Sequence, residues 1–580
     1  MLRTRRAPVN GEASAWPRPC PLAPAMRHDP RARRPAARRG CFGLAALALA
    51  AGLPARTAGQ DAAVPPAARA AAERIRAERI RSDVAYLASD ALRGRNTPSP
   101  GLDSAAAFIA RRLERAGVRP LGDGGGYLQW YDLRETAPDT AGAYLEVDGR
   151  RFRFGTDFLL RSFPGPLDAT APVVYVGHGV RAPARGIDPY AGLDIKGKIL
   201  LAHGPLAMPR GVSPQLRGRI GADLRAPWTE AFERGALAVL FIPLPRQLEA
   251  WDRLPRAPRS TLELDPPAPS AYAAIPVPTL ALRRAVVEAL LDGEQVSGRE
   301  LLQLGDSANF PPSFELRRRI TVHLPAAVER RHRAANVVAW LEGSDPTLRN
   351  EYITLAAHLD GAVGPPPAEG DSVYNAADDN ASGSAALLAI AEALAQGPRP
   401  RRSLIFLWDS GEERGLWGTR RFVSRPPVPL ERVVAHINVD MIGGTRRPGT
   451  AVQGEEELAG PGEVYVIGPR VLSTELDSLV ERAGRAFGLR LDRRYDTVES
   501  EFFYPRTDSG PFLERGVPAV QFFTGLHPRY HRPDDEAQYL DPQKMETVAR
   551  TVLATAWLLA DAPARPTLDK GIPPSVPRYR

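Results

Sequence analysis

The sequence predicts an α/β fold: a mixed, mainly parallel central sheet flanked by helices, with a β-rich segment inserted into it. Three observations carry this prediction. Short apolar runs of strand length recur in the C-terminal half, and each stops at a residue able to bind a metal or move a proton. Ala-rich runs of helical spacing stand between them, as in Ala385–Leu394. The stretch 166–300 differs from both, with short β-type runs broken by Gly and Pro.

Residues 1–59 stand apart from the fold. Arg31, Arg33, Arg34, Arg38 and Arg39 precede an apolar run, Cys41 to Leu53, and small residues suited to cleavage follow at Pro54–Gly59. A basic, apolar, small-residue order reads as an export signal, and the apolar part is short for a spanning helix. The segment holds 11 Arg against Glu12 and Asp29, which accounts for the whole net charge of +9. The remainder is therefore close to neutral, and the basic balance argues for neither nucleic acid nor a membrane surface as partner. Both cysteines, Cys20 and Cys41, fall in this segment, which excludes thiol chemistry from the rest of the chain.

A first part of the main domain is expected over 66–165. It opens with helical spacing at Ile75, Ile80, Val84 and Leu87, then Ser89–Thr97, then a second helix over Asp103–Ala116. The inserted segment, 166–300, carries strand-like runs at Val173–Val176, Ile195–Leu200 and Leu237–Phe241. Its His178 and His203 have no clustered partners and read as structural. The main domain resumes over 325–565, and 566–580 reads as a tail.

The chemistry lies in this last stretch. Tyr352–Ala357 is an apolar, β-rich run leading into His358-Leu359-Asp360. An imidazole there can ligate a metal through one nitrogen while Asp360 accepts the other N–H and fixes the tautomer. Asn375–Gly383 contains the adjacent carboxylates Asp378 and Asp379 in a small turn, with Ser382 or Asn380 suited to cap the helix that follows. Ser403–Trp408 leads to Glu412-Glu413, a pair that offers one carboxylate to a metal and leaves its neighbour free as a base. Val433–Val439 ends in Asp440, and Val517–Gly525 leads to His527 and His531. Singly none of these is diagnostic. Together, in this order and mostly at strand ends, they predict a carboxylate-and-imidazole centre. The mixed N/O donor set without thiol suits zinc better than magnesium or calcium. Two metals sharing Asp378 are matched by His358 with Asp440 and by Glu413 with His531. His436 stands short of its strand end and reads as core, while His323 and His332 read as surface.

The pieces AAHLD, NAADDNASG, GEERGLWGT, INVDMIG and GLHPRYHRPDD resemble the secreted two-zinc aminopeptidases of the zinc-dependent exopeptidase superfamily, whose relatives include glutamate carboxypeptidase II, the transferrin receptor and glutaminyl cyclase. The resemblance implies a zinc-exopeptidase (phosphorylase/hydrolase-like) fold with two zinc ions per chain. It implies His358 and Asp440 on one ion, Glu413 and His531 on the other, and Asp378 as the bridge. Glu412 becomes the general base, Asp360 the partner of His358, and Asp379 a supporting neighbour joined to Asp378 by a cis peptide. The insert looks like a protease-associated domain that walls or steers the substrate cleft. Two departures stand out: Gly361-Ala362-Val363 and Pro365–Pro367 replace the usual sequence after His-x-Asp, and Thr507-Asp508-Ser509 replaces Ser-Asp-His. The expectation is an exported, periplasmic or extracellular aminopeptidase acting on peptide substrates, with no nucleic-acid partner and no stable membrane association after signal cleavage. A carboxypeptidase of the glutamate carboxypeptidase type and an inactive receptor-like protein are the alternatives.

Overall fold

A computed structural model of the chain describes residues 64–204, 225–249, 251–253, 260–266, 277–304, 309–362, 364, 370–446, 449, 454–498, 506–573 and 576. The segment read as an export signal, with both cysteines, lies outside these residues, as does Pro365–Pro367. Among the described residues, no helix is long and apolar enough to cross a membrane.

The larger sheet runs in the order Arg490–Asp492, Glu463–Ile467, Ala519–Phe523, Val433–Val439, Tyr352–Ala356, Ser403–Trp408, Ala326–Leu341, Leu128–Pro138, Thr261–Asp265, with Arg119–Pro120 paired onto Ala326–Leu341. Its four middle strands, from Ala519–Phe523 to Ser403–Trp408, are parallel, and both flanks of that group are bounded by antiparallel pairs. Parallel pairing thus fills the centre and returns at one edge, where Glu463–Ile467 and Arg490–Asp492 run parallel. Strands covered on both faces read as unbroken apolar runs, and these do: every residue of Ser403–Trp408, Val433–Val439 and Ala519–Phe523 is buried.

Side chains alternate between the two faces along each strand. Leu404, Phe406 and Trp408 join the large core with helices Ala77–Leu87, Pro100–Ala116, Gly383–Ala395 and Pro542–Asp561. Ile405 and Leu407 turn to the other face, where Phe422 and Phe512 from helices Trp417–Ser424 and Ser509–Glu514 pack on them. Complete burial of each such Leu, Ile or Phe contributes about 1.5–3 kcal/mol. Helix Gly383–Ala395 is buried almost throughout and sits against the sheet as a central strut. Asn380, not Ser382, caps it: the Asn380 Oδ1 accepts the Gly383 N–H at 2.9 Å. Gly383 is required there, because a Cβ would lie 2.4 Å from the Val439 carbonyl oxygen.

A second sheet takes the order Arg150–Arg153, Tyr144–Val147, Phe314–Leu324, Leu167–Tyr175, Ile199–His203, Ala238–Ile242, Thr279–Leu282, Phe158–Ser162. It spans more of the chain than the 166–300 expected from sequence, since hydrophobic alternation at Leu145, Val147, Ile320 and Val322 closes the same core. One strand inside that range, Thr261–Asp265, instead pairs with Leu128–Pro138 of the larger sheet. His203 is buried against the Tyr175 hydroxyl at 3.0 Å, and burial pulls its pKa and that of His178 down to about 4.

Candidate metal centre

The parallel strands are in register at their C-terminal ends: Ala356 lies opposite Leu407 and Asn438, and Val439 opposite Phe522. Residues just beyond these positions therefore converge at one sheet edge, the place where open α/β sheets bind ligands. His358, Glu412, Glu413, Asp440 and the 524–535 loop all leave from that edge, and the turn Ala377–Ser382 comes up beside them at the start of the central helix.

Two groups there can each hold a cation: His358, Asp379 and Asp440, and Asp379, Glu413 and His531. The His358 Nε2 is 3.1 Å from the Asp379 Oδ1 and 3.3 Å from the Asp440 Oδ1. The His531 Nε2 is 3.1 Å from the Asp379 Oδ2 and 3.1 Å from the Glu413 Oε2. Asp379 thus presents one oxygen to each group.

This corrects the expectation for Asp378. Its Oδ1 accepts the Gly443 N–H at 2.8 Å, and its Oδ2 lies 3.3 Å from the Nε2 of His527, so it faces away from both groups. The cis peptide is also one residue later than expected, at Asp379-Asn380. Nothing in two adjacent Asp residues says which will face which way. The backbone of the turn decides, with Asp379 and Asn380 departing from helical geometry. His531 is in the cluster and His527 is not. His531 takes φ +57°, stacks on Tyr530 and remains 39% exposed, while His527 is buried beside Asp378.

Asp360 meets the His358 ring through its backbone carbonyl and not, as expected, through its carboxylate, which goes to Glu412 instead. The His358 Nδ1 meets the Asp360 backbone carbonyl at 3.1 Å and its carboxylate at 3.8 Å, and that carboxylate accepts the Glu412 N–H at 3.2 Å. One residue therefore orients both the imidazole and the start of the Glu412-Glu413 pair. His436 is core, as read: it stacks on Phe512 at 3.9 Å, and burial lowers its pKa to about 3. Asp508, in the departure from the usual Ser-Asp-His, is buried and bonded by the Thr419 hydroxyl, outside both groups.

The electrostatics mark a centre short of positive charge. Burial, then neighbouring carboxylates, raises Glu412 well above its ordinary range and Glu413 to about 7, and burial raises Asp440. Asp379 moves the other way: burial opposes its charge, but His358 and His531 hold its pKa low. Burial works against protonation of His358 and His531, yet the surrounding carboxylates raise both, His531 to about 10. The Oε1 of Glu413 is buried with no hydrogen-bond partner. Buried carboxylates that outnumber their cationic partners, with an acceptor left over, are a donor set fit for divalent cations.

Residues 336–556 match the sequence profile of peptidase family M28. All the residues of both cation-holding groups lie within this stretch. The chain is 28% identical over 256 residues to a probable zinc metalloprotease of Pyrenophora tritici-repentis, a match covering 40% of this chain and 58% of that one. It is 26% identical over 226 residues to a probable leucine aminopeptidase of Arthroderma otae, covering 37% and 56%. The chain thus spans just over half the length of these relatives. Its fold is similar to that of an aminopeptidase from Aneurinibacillus sp. strain AM-1, with TM-score 0.50 and 18% identity, over 87% of this chain and 98% of that one. The M28 segment begins inside the long strand Ala326–Leu341, so the N-terminal helices and the second sheet lie outside it.

Proposed function

We propose that the chain is an exported, two-zinc aminopeptidase. The observation that carries this reading is Asp379, whose two oxygens each lie 3.1 Å from a different histidine, His358 and His531. In this reading His358, Asp379 and Asp440 hold one zinc ion, and Asp379, Glu413 and His531 the other. The donor set of imidazole and carboxylate, with no thiol, is one that zinc accepts. Zinc bound at such a site supplies Lewis acidity, which acidifies water and polarises a carbonyl.

The chain's own groups have these roles. Glu412, beside the ligands but not among them, is the general base that takes a proton from water and hands it to the leaving amine. Asp360 holds the Glu412 backbone and the His358 ring, so that base and ligand keep a fixed relation. The second sheet is a protease-associated module that walls the cleft, a role supported by its insertion between the two parts of the main domain. Export rests on the basic, apolar and small-residue order of residues 1–59.

The test is hydrolysis of aminoacyl-p-nitroanilides and N-blocked peptides by the chain from Gln60 onward, with and without chelator, beside Glu412→Gln. Chelator-sensitive release from free-amine substrates is expected. Glu412→Gln should lose about 10²–10⁴-fold in rate with metal content unchanged. Cleavage confined to N-blocked peptides with a free C-terminus would move the reading to a carboxypeptidase, and a chain that takes up no metal would overturn it.

A further inference from the structure

We propose that Arg95 and Asp535 form a clamp of opposite charges that grips the backbone of residues 375–379 and sets the Asp379 carboxylate between the two metal positions. The proposal rests on the two-zinc reading above. It assigns a role to one residue outside the M28 segment, Arg95, and to one inside it that contributes to neither cation-holding group.

The backbone of the turn holds itself only in part, through the Ala381 N–H on the Ala376 carbonyl and the Ser382 hydroxyl on the Asp378 carbonyl. Ala376 takes φ +52°, a left-handed conformation uncommon for a residue with a Cβ, and Asp379 and Asn380 are non-helical. Such a conformation persists only where its surroundings determine it. Buried peptide groups also need partners, and in this stretch the partners divide by charge. Two carbonyls go to the cation: the Arg95 Nη1 donates to the Asn375 carbonyl at 3.0 Å, and its Nη2 to the Ala376 carbonyl at 2.9 Å, while the Ala381 N–H also reaches the Ala376 carbonyl at 3.2 Å and the Ser382 hydroxyl donates to the Asp378 carbonyl at 2.8 Å. N–H groups go to the anion. The Asp378 N–H donates to both Asp535 carboxylate oxygens, at 3.0 and 3.1 Å, and the Asp379 N–H to its Oδ2 at 3.2 Å. The Ala377 N–H donates to the Asp535 backbone carbonyl at 3.1 Å.

Arg95 also ties this turn to the segment bearing His358, just past the end of strand Tyr352–Ala356. Its Nε donates to the Leu359 carbonyl at 2.9 Å, and its Nη1 to the carbonyl of Leu87 at the end of a helix. One fully buried guanidinium thus fixes the turn relative to His358, and only a planar fork of five N–H donors can serve four carbonyls at once. Burial lowers its pKa to about 10, opposed by Asp360, Asp535 and Asp379, so it stays cationic at neutral pH. Gly94 allows the approach: it takes φ +77°, and a Cβ there would lie 2.3 Å from the Tyr374 carbonyl oxygen.

The experiment compares wild type, Arg95→Lys and Asp535→Asn in the full chain. Lys keeps the charge without the fork, and Asn keeps the shape of Asp with fewer acceptors. Two readouts are taken: amide hydrogen exchange of 377–379 in the metal-free protein, and zinc affinity in metal-buffered solution with Co²⁺ spectra. Faster exchange at these amides and about 10–100-fold weaker zinc binding are expected for both variants, with an altered Co²⁺ spectrum. If Arg95→Lys does not fold, Asp535→Asn alone decides. Unchanged exchange in a folded variant overturns the clamp without reference to metal. Faster exchange or a lower melting temperature with unchanged zinc affinity overturns its role in positioning Asp379. A wild-type chain that binds no zinc overturns the two-zinc reading itself, a result read before any variant is compared.

Discussion

Exchanging the two adjacent carboxylates of the turn, one at a time, separates the proposed centre from its nearest rival. Asp379→Asn keeps the side-chain shape and removes the one charge shared by both groups. Each group has three protein donors, so each would keep two. Loss of a residue that merely supports a ligand typically costs 10–100-fold in metal affinity, and loss of the ligand itself must cost at least the top of that range. We therefore expect about 100-fold or more at both positions, or about 2.7 kcal/mol at each. Asp378→Asn keeps an oxygen for the Gly443 N–H and loses the charge beside His527, Asp535 and Lys544 without removing a donor from either group. It should retain two metals, weakened by about 10-fold at most on the same scale. Equilibrium dialysis against buffered zinc, with metal counted per chain, measures both. Retention of two metals by Asp379→Asn together with their loss from Asp378→Asn would refute the placement of Asp379 as the shared residue.

Two further outcomes follow from the geometry. His531→Ala should lower zinc content from two to one per chain, while His527→Gln leaves it at two, read by the same metal count. His436→Gln should flatten the acid side of the stability profile. The folded pKa of His436, about 3, lies below its ordinary 6.5, so the unfolded chain binds the extra proton between those values and stability is lost as pH falls through that window. At 1.36 kcal/mol per unit the difference between pH 7 and pH 4 is roughly 3 kcal/mol. Urea unfolding of wild type and variant at both pH values measures it, and equal slopes for the two proteins would refute it.

Much of the site was legible because strand ends are legible. Apolar runs such as Ser403–Trp408 and Val433–Val439 mark buried strands, and residues just past them must meet at one edge once the strands are parallel and in register. That reasoning brought His358, Glu413, Asp440 and the His527–His531 loop together, and the family resemblance around Tyr530-His531-Arg532-Pro533 singled out His531. It failed at Asp378 and Asp379 because neighbouring residues share composition and differ only in backbone geometry, which no pattern encodes. The clamp was invisible for a related reason. Arg95 and Asp535 sit in Arg-Gly-Arg and Arg-Pro-Asp-Asp, where charges ordinarily mark solvent, and only long-range packing buries them. The second Asp of the latter, inside a motif otherwise rich in site residues, was the one available hint.

The second sheet is attached by an unusual route. The strands Leu128–Pro138 and Ala326–Leu341 pair antiparallel along nearly their whole length and lead directly into it, Asp139 bonding to Pro325 where the two part. Thr261–Asp265 then returns to lie on Leu128–Pro138. A module hung on two flexible tethers could swing freely; one rooted in a three-stranded ribbon can move only by twisting that ribbon as a leaf spring twists. Whatever the module does, it should do with small angular excursions. Cutting it out would strip a paired edge from the main sheet, leaving unpaired N–H and C=O groups of the kind that seed aggregation.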